Sequence, residues 1–289
     1  MFQTTLKSDA TRVIAHLDTQ IASMDDLPVT RAMRYAIAGG KGLRGFLVME
    51  SARLHDVSEA QALWPAAAIE AVHAYSLIHD DLPCMDDDDL RRGQPTVHVK
   101  WDQATAVLAG DALQALAFEL VSDPRCHPDA SRRADLTLSL ARAAGARGMV
   151  LGQALDIAAE TADTPLTLTE ITALQNGKTG ALIGWSAEAG ARLAGADITP
   201  LRHYAQALGL AFQIADDILD VEGDAQKAGK RLQKDAEAGK ATFVSLLGLD
   251  GAKSRADELV MTACDALSPF GPRADTLRDA ARFVISRDS

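Results

Sequence analysis

The amino-acid sequence predicts an all-α protein folded as a single domain over residues 1–289. Three observations carry that expectation. Ala and Leu abound, aromatic residues make up only 4%, and few segments are rich in Val, Ile and Thr, a balance that favours helices over strands. Apolar residues recur at helical spacing. With 47% hydrophobic residues the chain can bury a large core, and no stretch reads as an interdomain linker.

Each element follows from local pattern. Leu6, Val13, Leu17 and Ile21 recur at helical spacing between Thr4 and Met24. Pro28 and Gly39-Gly40 bracket a second helix, and a third runs through Phe46 to Leu54. Trp64 to Leu82 reads as a long, largely buried helix that Pro83 ends or kinks. Thr105 to Val121, rich in Ala and Leu, is another. Asp123-Pro-Arg-Cys-His-Pro128 is a loop, and Ser131 to Ala159 returns to helix. Thr169 opens the next helix, which Gly177-Lys178-Thr179-Gly180 is expected to kink. Leu201 to Val221 forms a helix with an acidic stripe. Glu222 to Lys240 is polar and Gly-containing and reads as a mobile loop, and two helices follow to about Arg287.

Composition excludes several classes. The net charge is -11 without a basic tail, which argues against a nucleic-acid surface. An acidic chain that takes an anionic substrate must do so through local basic pockets or metals. Cys84, Cys126 and Cys264 are odd in number and form no CxxC pair, so reduced thiols of a cytoplasmic protein are expected, not disulfides or zinc. The N-terminus lacks the charged start and apolar run of a signal peptide. No stretch reaches the roughly 20 apolar residues of a membrane span.

Two acidic clusters with basic neighbours carry the chemistry. The first is Asp80-Asp81-Leu-Pro-Cys-Met-Asp86-Asp87-Asp88-Asp89-Leu-Arg91-Arg92; the second is Asp216-Asp217-Ile-Leu-Asp220. Carboxylates this close repel one another and are costly to keep ionised without a cation. Hard oxygen ligands beside a phosphate-sized set of Lys and Arg suggest Mg²⁺ ions carrying a diphosphate. Gln213, Asp216, Asp217 and Asp220 fall on one helical stripe. The rest of that helix is too apolar for a freely exposed element, so a metal site is favoured over a solvated face. Taken alone, the four-Asp run fits a solvated loop as well as a site, and the register beyond Pro83 leaves open which Asp turns back to Asp80. His73 shares a face with Asp80 two turns on, but alone fits a core histidine better. Lys41, Arg44, Arg91, Arg92, Lys178, Lys230 and Lys240 lie where loops meet helices, though each singly reads as a surface charge. The Lys41 segment is no P-loop, because the pattern and its preceding strand are missing. Gln153 and Asp156 fit a polar cavity or one another equally.

Read together, these segments closely resemble the trans-isoprenyl diphosphate synthase family, nearest to its bacterial farnesyl diphosphate synthases. The resemblance runs from Gly39-Gly40-Lys41 to Gly239-Lys240-Ala-Thr and rests on His73-Ala-Tyr-Ser-Leu-Ile-His-Asp80-Asp81 and Phe212-Gln213-Ile-Ala-Asp216-Asp217. It implies the isoprenoid synthase fold, ten or more helices around a deep central cavity, usually as a homodimer. It implies that Asp80, Asp81, Asp86, Asp216, Asp217 and Asp220 share three Mg²⁺ with an allylic diphosphate. Arg91, Lys178, Thr179, Gln213, Lys230 and Lys240 would contact that substrate. Lys41, Arg44, His73 and Arg92 would hold isopentenyl diphosphate. The implied reaction condenses the two, with the departing diphosphate as proton acceptor.

Three positions depart from the family, a minor one being Phe243, where a tyrosine is often seen. The family's Gly-Gly-Lys-Arg-x-Arg-Pro reads Gly-Gly-Lys41-Gly42-Leu-Arg44-Gly45 here, so one basic residue and one proline are missing. For chain length, helical phase favours Ser76 beneath the metal. The resemblance favours Tyr75, since a bulky aromatic there, with two extra residues in the first motif, accompanies a C15 product. The competing readings are a geranyl or geranylgeranyl diphosphate synthase, a terpene cyclase, a non-catalytic prenyl synthase subunit and an acidic Ca²⁺-binding protein. Lys41, Arg44 and His73 argue against a cyclase, both intact Asp motifs against an inactive subunit, and the missing EF-hand loop against a Ca²⁺ binder.

Overall fold

The computed structural model describes residues 2–162, 164–222 and 241–286. These residues are helical apart from loops and one hairpin of two-residue strands, and they hold more than ten helices, as the all-α expectation required. The chain forms two compact units. Among the described residues, one comprises residues 3–138 and 189–196; the other comprises Phe2 and residues 139–162, 164–188, 197–222 and 241–286.

The first unit contains α1 (Phe2–Ala22), α2 (Pro28–Ile37), α3 (Leu43–Leu54), α4 (Glu59–Asp80), β1 (Leu90–Arg91), β2 (Gln94–Pro95), α5 (Val97–Lys100) and α6 (Gln103–Ser122). Its core is α4, which packs on α3 and α6. Ser58 caps α4 by accepting the Gln61 N–H, so Pro65 lies inside the helix and not at its start. Ala66, Ala67, Ala68, Ile69, Ala71 and Val72 are all fully buried, and the short alanines let the flanking helices approach closely.

α6 begins where the Asp102 carboxylate accepts the Thr105 N–H at 2.7 Å. By length and composition it could cross a membrane, which corrects the expectation that no stretch would qualify, yet half of it is buried inside the protein. Its apolar character is that of a core helix. Gly110 is needed there because a Cβ would overlap the His79 ring of α4.

The second unit holds α8 (Met149–Glu160), α9 (Leu168–Gln175), a π-helical turn (Asn176–Gly180), α11 (Thr199–Glu222), α12 (Phe243–Leu247), α13 (Leu249–Ala266), a 3₁₀ segment (Ser268–Ala274) and α14 (Asp275–Ser286). α7 (Ala130–Ala144) and α10 (Ala181–Ala194) contribute residues to both units. The helix expected from Ser131 to Ala159 is in fact two. Gly148, at φ -144° and ψ -116°, breaks it ahead of α8. The break redirects α8 so that Gly152 meets the backbone of Lys178, where any Cβ would overlap. α9 starts one residue before the expected Thr169, because Thr167 is its N-cap and forms a reciprocal capping box with Glu170. α11 packs on α13 and α14, and the fully buried Tyr204 hydroxyl donates to the Leu277 carbonyl at 2.9 Å.

Candidate active site

In the first unit, α4 ends at Asp80 with Asp81 as its C-cap. The chain then folds back. Met85 N–H donates to the Leu82 carbonyl and Asp86 N–H to the Asp80 carbonyl, each at 2.8 Å. Asp87 takes a left-handed φ of 50°, which Asp tolerates better than most residues. Asp86 is therefore the member of the four-Asp run tied to Asp80, which spacing had left open. Asp81 is 3% exposed and accepts from Arg91 Nε at 2.7 Å, and Arg91 Nη2 also lies 3.8 Å from Asp88. Burial pushes the Asp81 pKa up, Arg91 pulls it down, and Asp88 and Asp86 raise it again. The donors are hard oxygens only, in a site already short of positive charge, which fits Mg²⁺ bound through one or two carboxylates and completed by phosphate oxygens. Among the described residues, no three His, Cys, Asp or Glu side chains form a ready metal cage.

The hairpin β1–β2, missed by sequence reasoning, places the two arginines. Leu90 pairs with Pro95 and Arg91 with Gln94. Arg92 (φ 52°) and Gly93 (φ 73°) form the two-residue turn, for which two left-handed residues suit the strand twist. Arg91 goes to Asp81. Arg92 goes elsewhere: its Nη1 donates to the Ala38 carbonyl at 3.2 Å, and its guanidinium lies against Gly40, where a Cβ would sit 3.3 Å away. A cavity of about 330 Å³ beside them is lined by Tyr35, Ala74, Leu77, Ile78, Asp81, Arg91 and Arg92, among others.

Around Arg92 stand Arg44 and His73. Burial lowers the Arg44 pKa, and Arg92 lowers it further. Burial, then Arg44, Arg92 and Arg91, hold His73 well below the usual histidine range, so its imidazole is neutral. Lys41 is exposed in the turn ahead of α3. Both departures in the Lys41–Gly45 motif have local causes. Gly42 is the left-handed N-cap of α3 (φ 66°), and a Cβ there would lie 2.5 Å from Ala10 Cβ of α1. Gly45 N–H donates to Glu70 Oε1 at 2.8 Å, a bond proline cannot make. Glu70 escaped notice in the sequence, although a carboxylate inside so apolar a helix was a visible signal.

On another face of α4, Tyr75 is 5% exposed and meets His79 edge-on at 5.9 Å. Its hydroxyl is buried beside Gln114. Ser76 spends its hydroxyl on the His73 carbonyl at 2.9 Å.

In the second unit, the π-helical turn carries Lys178 and Thr179. Such turns widen a helix by one residue and often mark functional sites. Lys178 Nζ pairs with Asp156 Oδ2 at 2.7 Å, so Asp156 satisfies a lysine and not Gln153, whose buried Nε2 lacks a partner. Thr179 Oγ1 donates to Gln213 Oε1 at 2.9 Å. Asp216, Asp217 and Asp220 are half-buried on α11. Asp217 Oδ2 also accepts the Phe243 N–H that opens α12, at 2.7 Å. Lys230 and Lys240, and most of the expected loop from Glu222 to Lys240, lie outside the described residues.

Comparison with known proteins agrees with this chemistry. The family model described as polyprenyl synthetase matches residues 28–266. A farnesyl diphosphate synthase of Haemophilus influenzae is 42% identical over 299 residues, spanning 100% of this chain and 99% of the relative. The farnesyl diphosphate synthase of Escherichia coli is 46% identical over 271 residues, 90% of each chain. A crystal structure of an FPP/GFPP synthase from Zymomonas mobilis superposes with a TM-score of 0.88 at 48% identity, covering 97% of this chain and 99% of that one.

Proposed function

The chain belongs to the polyprenyl synthetase family, and from that premise we propose that it is a farnesyl diphosphate synthase. It elongates prenyl chains head to tail, condensing isopentenyl diphosphate with an allylic diphosphate; the C15 product is the specific proposal. The family uses Mg²⁺, and the reading extends this to three ions held by Asp80, Asp81, Asp86, Asp216, Asp217 and Asp220. When bound, the metal withdraws electron density from the diphosphate and makes it a better leaving group.

The chain's own residues account for the rest. Arg91 and Lys178 hold the allylic diphosphate as its C–O bond breaks and the electron pair departs with it. Each is itself held by a carboxylate, Asp81 and Asp156, so both cations are oriented before substrate arrives. Thr179 donates to Gln213, which leaves the threonine oxygen's lone pairs available to steady the allylic cation. Lys41, Arg44, His73 and Arg92 hold isopentenyl diphosphate, whose double bond supplies the pair for the new C–C bond. The proton lost from the adjacent carbon goes to the departed diphosphate. Tyr75 closes the far end of the growing chain. One polyprenyl synthase domain, a homodimer and a cytoplasmic location complete the reading, with Lys230 and Lys240 as further allylic contacts.

The observation that carries the proposal is the divergence of Arg91 and Arg92: neighbours in sequence, one serves the acidic cluster and the other the glycine turn before α3. Two separate cationic positions suit two diphosphates. The test is incubation with isopentenyl and dimethylallyl diphosphates plus Mg²⁺, followed by chromatography of the dephosphorylated products. Farnesol is the expected product. Geraniol or geranylgeraniol as the end product overturns the C15 assignment, and no condensation overturns the reading entirely.

A further inference from the structure

Glu70 is an ionisable group in the most apolar stretch of α4, itself only 7% exposed. A carboxylate at that depth is costly unless hydrogen-bonded and matched in charge. Both needs are answered from one side. Burial pushes the Glu70 pKa up; against it, Oε1 accepts the Gly45 N–H at 2.8 Å, and Arg44 and Arg92 also favour the carboxylate. Gly45 lies in the first turn of α3, where amides have no partner within the helix. The first ladder bond starts one residue later, from Phe46 N–H to the Gly42 carbonyl. Glu70 thus caps α3 from a different helix. A Cβ on residue 45 would stand 3.3 Å from Glu70 Oε1 and 3.1 Å from Val13 Cγ1, so the approach suits glycine. Arg44, the preceding residue, has a buried Nε with no hydrogen-bond partner. That is a donor still lacking its acceptor.

We infer that Glu70 is a positioning residue for the isopentenyl diphosphate half of the site: it pins the first turn of α3 so that Arg44 and Arg92 present their guanidiniums to one anion. The inference rests on the assignment of Lys41, Arg44, His73 and Arg92 to that substrate. It also accounts for the departure at position 45. The family's proline stiffens the turn through its ring but has no N–H; this chain has a glycine anchored by a hydrogen bond.

Steady-state kinetics of the full chain, with each substrate varied in turn, test it. Glu70→Ala should raise KM for isopentenyl diphosphate by about tenfold, as expected for losing a hydrogen bond to a charged group, with kcat and the allylic KM within about twofold. Glu70→Gln keeps an oxygen for the Gly45 N–H and should stay within about threefold of the wild type. Equal rises in both KM values, no change in Glu70→Ala, or a Glu70→Gln effect as large as that of Ala would overturn the inference. Should Glu70→Ala fail to fold, Glu70→Asp, one methylene short of Gly45, takes its place with the same outcomes. Arg44→Ala separates the two levels. If it leaves the isopentenyl KM unchanged, the site assignment itself is wrong; if it raises that KM and Glu70→Ala does not, only the role of Glu70 falls.

Discussion

Gly42→Ala should be among the most damaging single-methyl additions in the first unit. Residue 42 sits at φ 66° and ψ 24°, and a Cβ there would stand 2.5 Å from Ala10 Cβ and 3.0 Å from Ala10 Cα. Two costs add. Left-handed backbone costs a residue with a Cβ about 1–2 kcal/mol, and forcing a methyl into a packed contact costs about 1–3 kcal/mol. Together they give about 2–5 kcal/mol, or a fall in Tm on the order of 10 °C. Thermal unfolding followed by circular dichroism measures the total, and a cycle with Ala10→Gly divides it. Ala10→Gly removes the methyl that Gly42→Ala would strike, so the double variant should recover most of the steric part, the contact with the residue 10 Cα remaining, and keep the backbone part. A loss below about 1 kcal/mol for Gly42→Ala, or no coupling to Ala10→Gly, would refute the reasoning. An arginine at position 42, as in the family pattern, should fare no better.

Further outcomes follow from the same structure. Asp80→Ala and Asp216→Ala should each cut turnover at least about a hundredfold with the circular dichroism spectrum unchanged, and EDTA should abolish activity; near-normal turnover in any of these would sink the metal assignment. Tyr75→Ala should lengthen the product to C20 or beyond, at about 3–5 kcal/mol of stability for the cavity left behind, whereas Tyr75→Phe should keep C15; a C15 product from Tyr75→Ala would put the floor elsewhere. His73 and His16 are both depressed chiefly by burial, with added repulsion from nearby arginines. Between the ordinary histidine value of about 6.5 and their folded values, the unfolded chain binds more protons. The stability contributed by these two neutral imidazoles is therefore complete above about pH 6.5 and lost as pH falls below it. Urea midpoints at about pH 7.5 and pH 5.5 should show that loss, smaller in His73→Gln; a midpoint that rises on acidification would contradict it.

What the sequence made legible was what repeats along a helix. The stripe Gln213–Asp220 is stated by spacing alone because α11 is regular over its whole length. The kink at Gly177-Lys178-Thr179-Gly180 was visible from its glycines, and it proved to be a π-helical turn. Features made by pairing were not legible. Which Asp returns to Asp80 depends on the turn through Met85 and Asp87, and two-residue strands carry no alternation by which to find a hairpin. Asp156 could not be assigned to Lys178 from sequence because the contact depends on Gly152 admitting the π-helical turn. Helical phase favoured Ser76 for chain length and residue size favoured Tyr75; what neither could foresee is that the Ser76 hydroxyl bonds the His73 carbonyl.

The turn at Asn176–Gly180 also bears on how this protein tolerates insertions and deletions. A π-helical turn is an α-helix with one residue too many, so its length is held to the residue even though no loop bounds it. Loss of a single codon there would restore ordinary helix and rotate everything on one side of it by about 100°. Lys178 would swing off Asp156 and Thr179 off Gln213, while each residue type survived unchanged. Genetic variation should therefore spare the length of this segment more strictly than its composition, the reverse of what a surface loop allows.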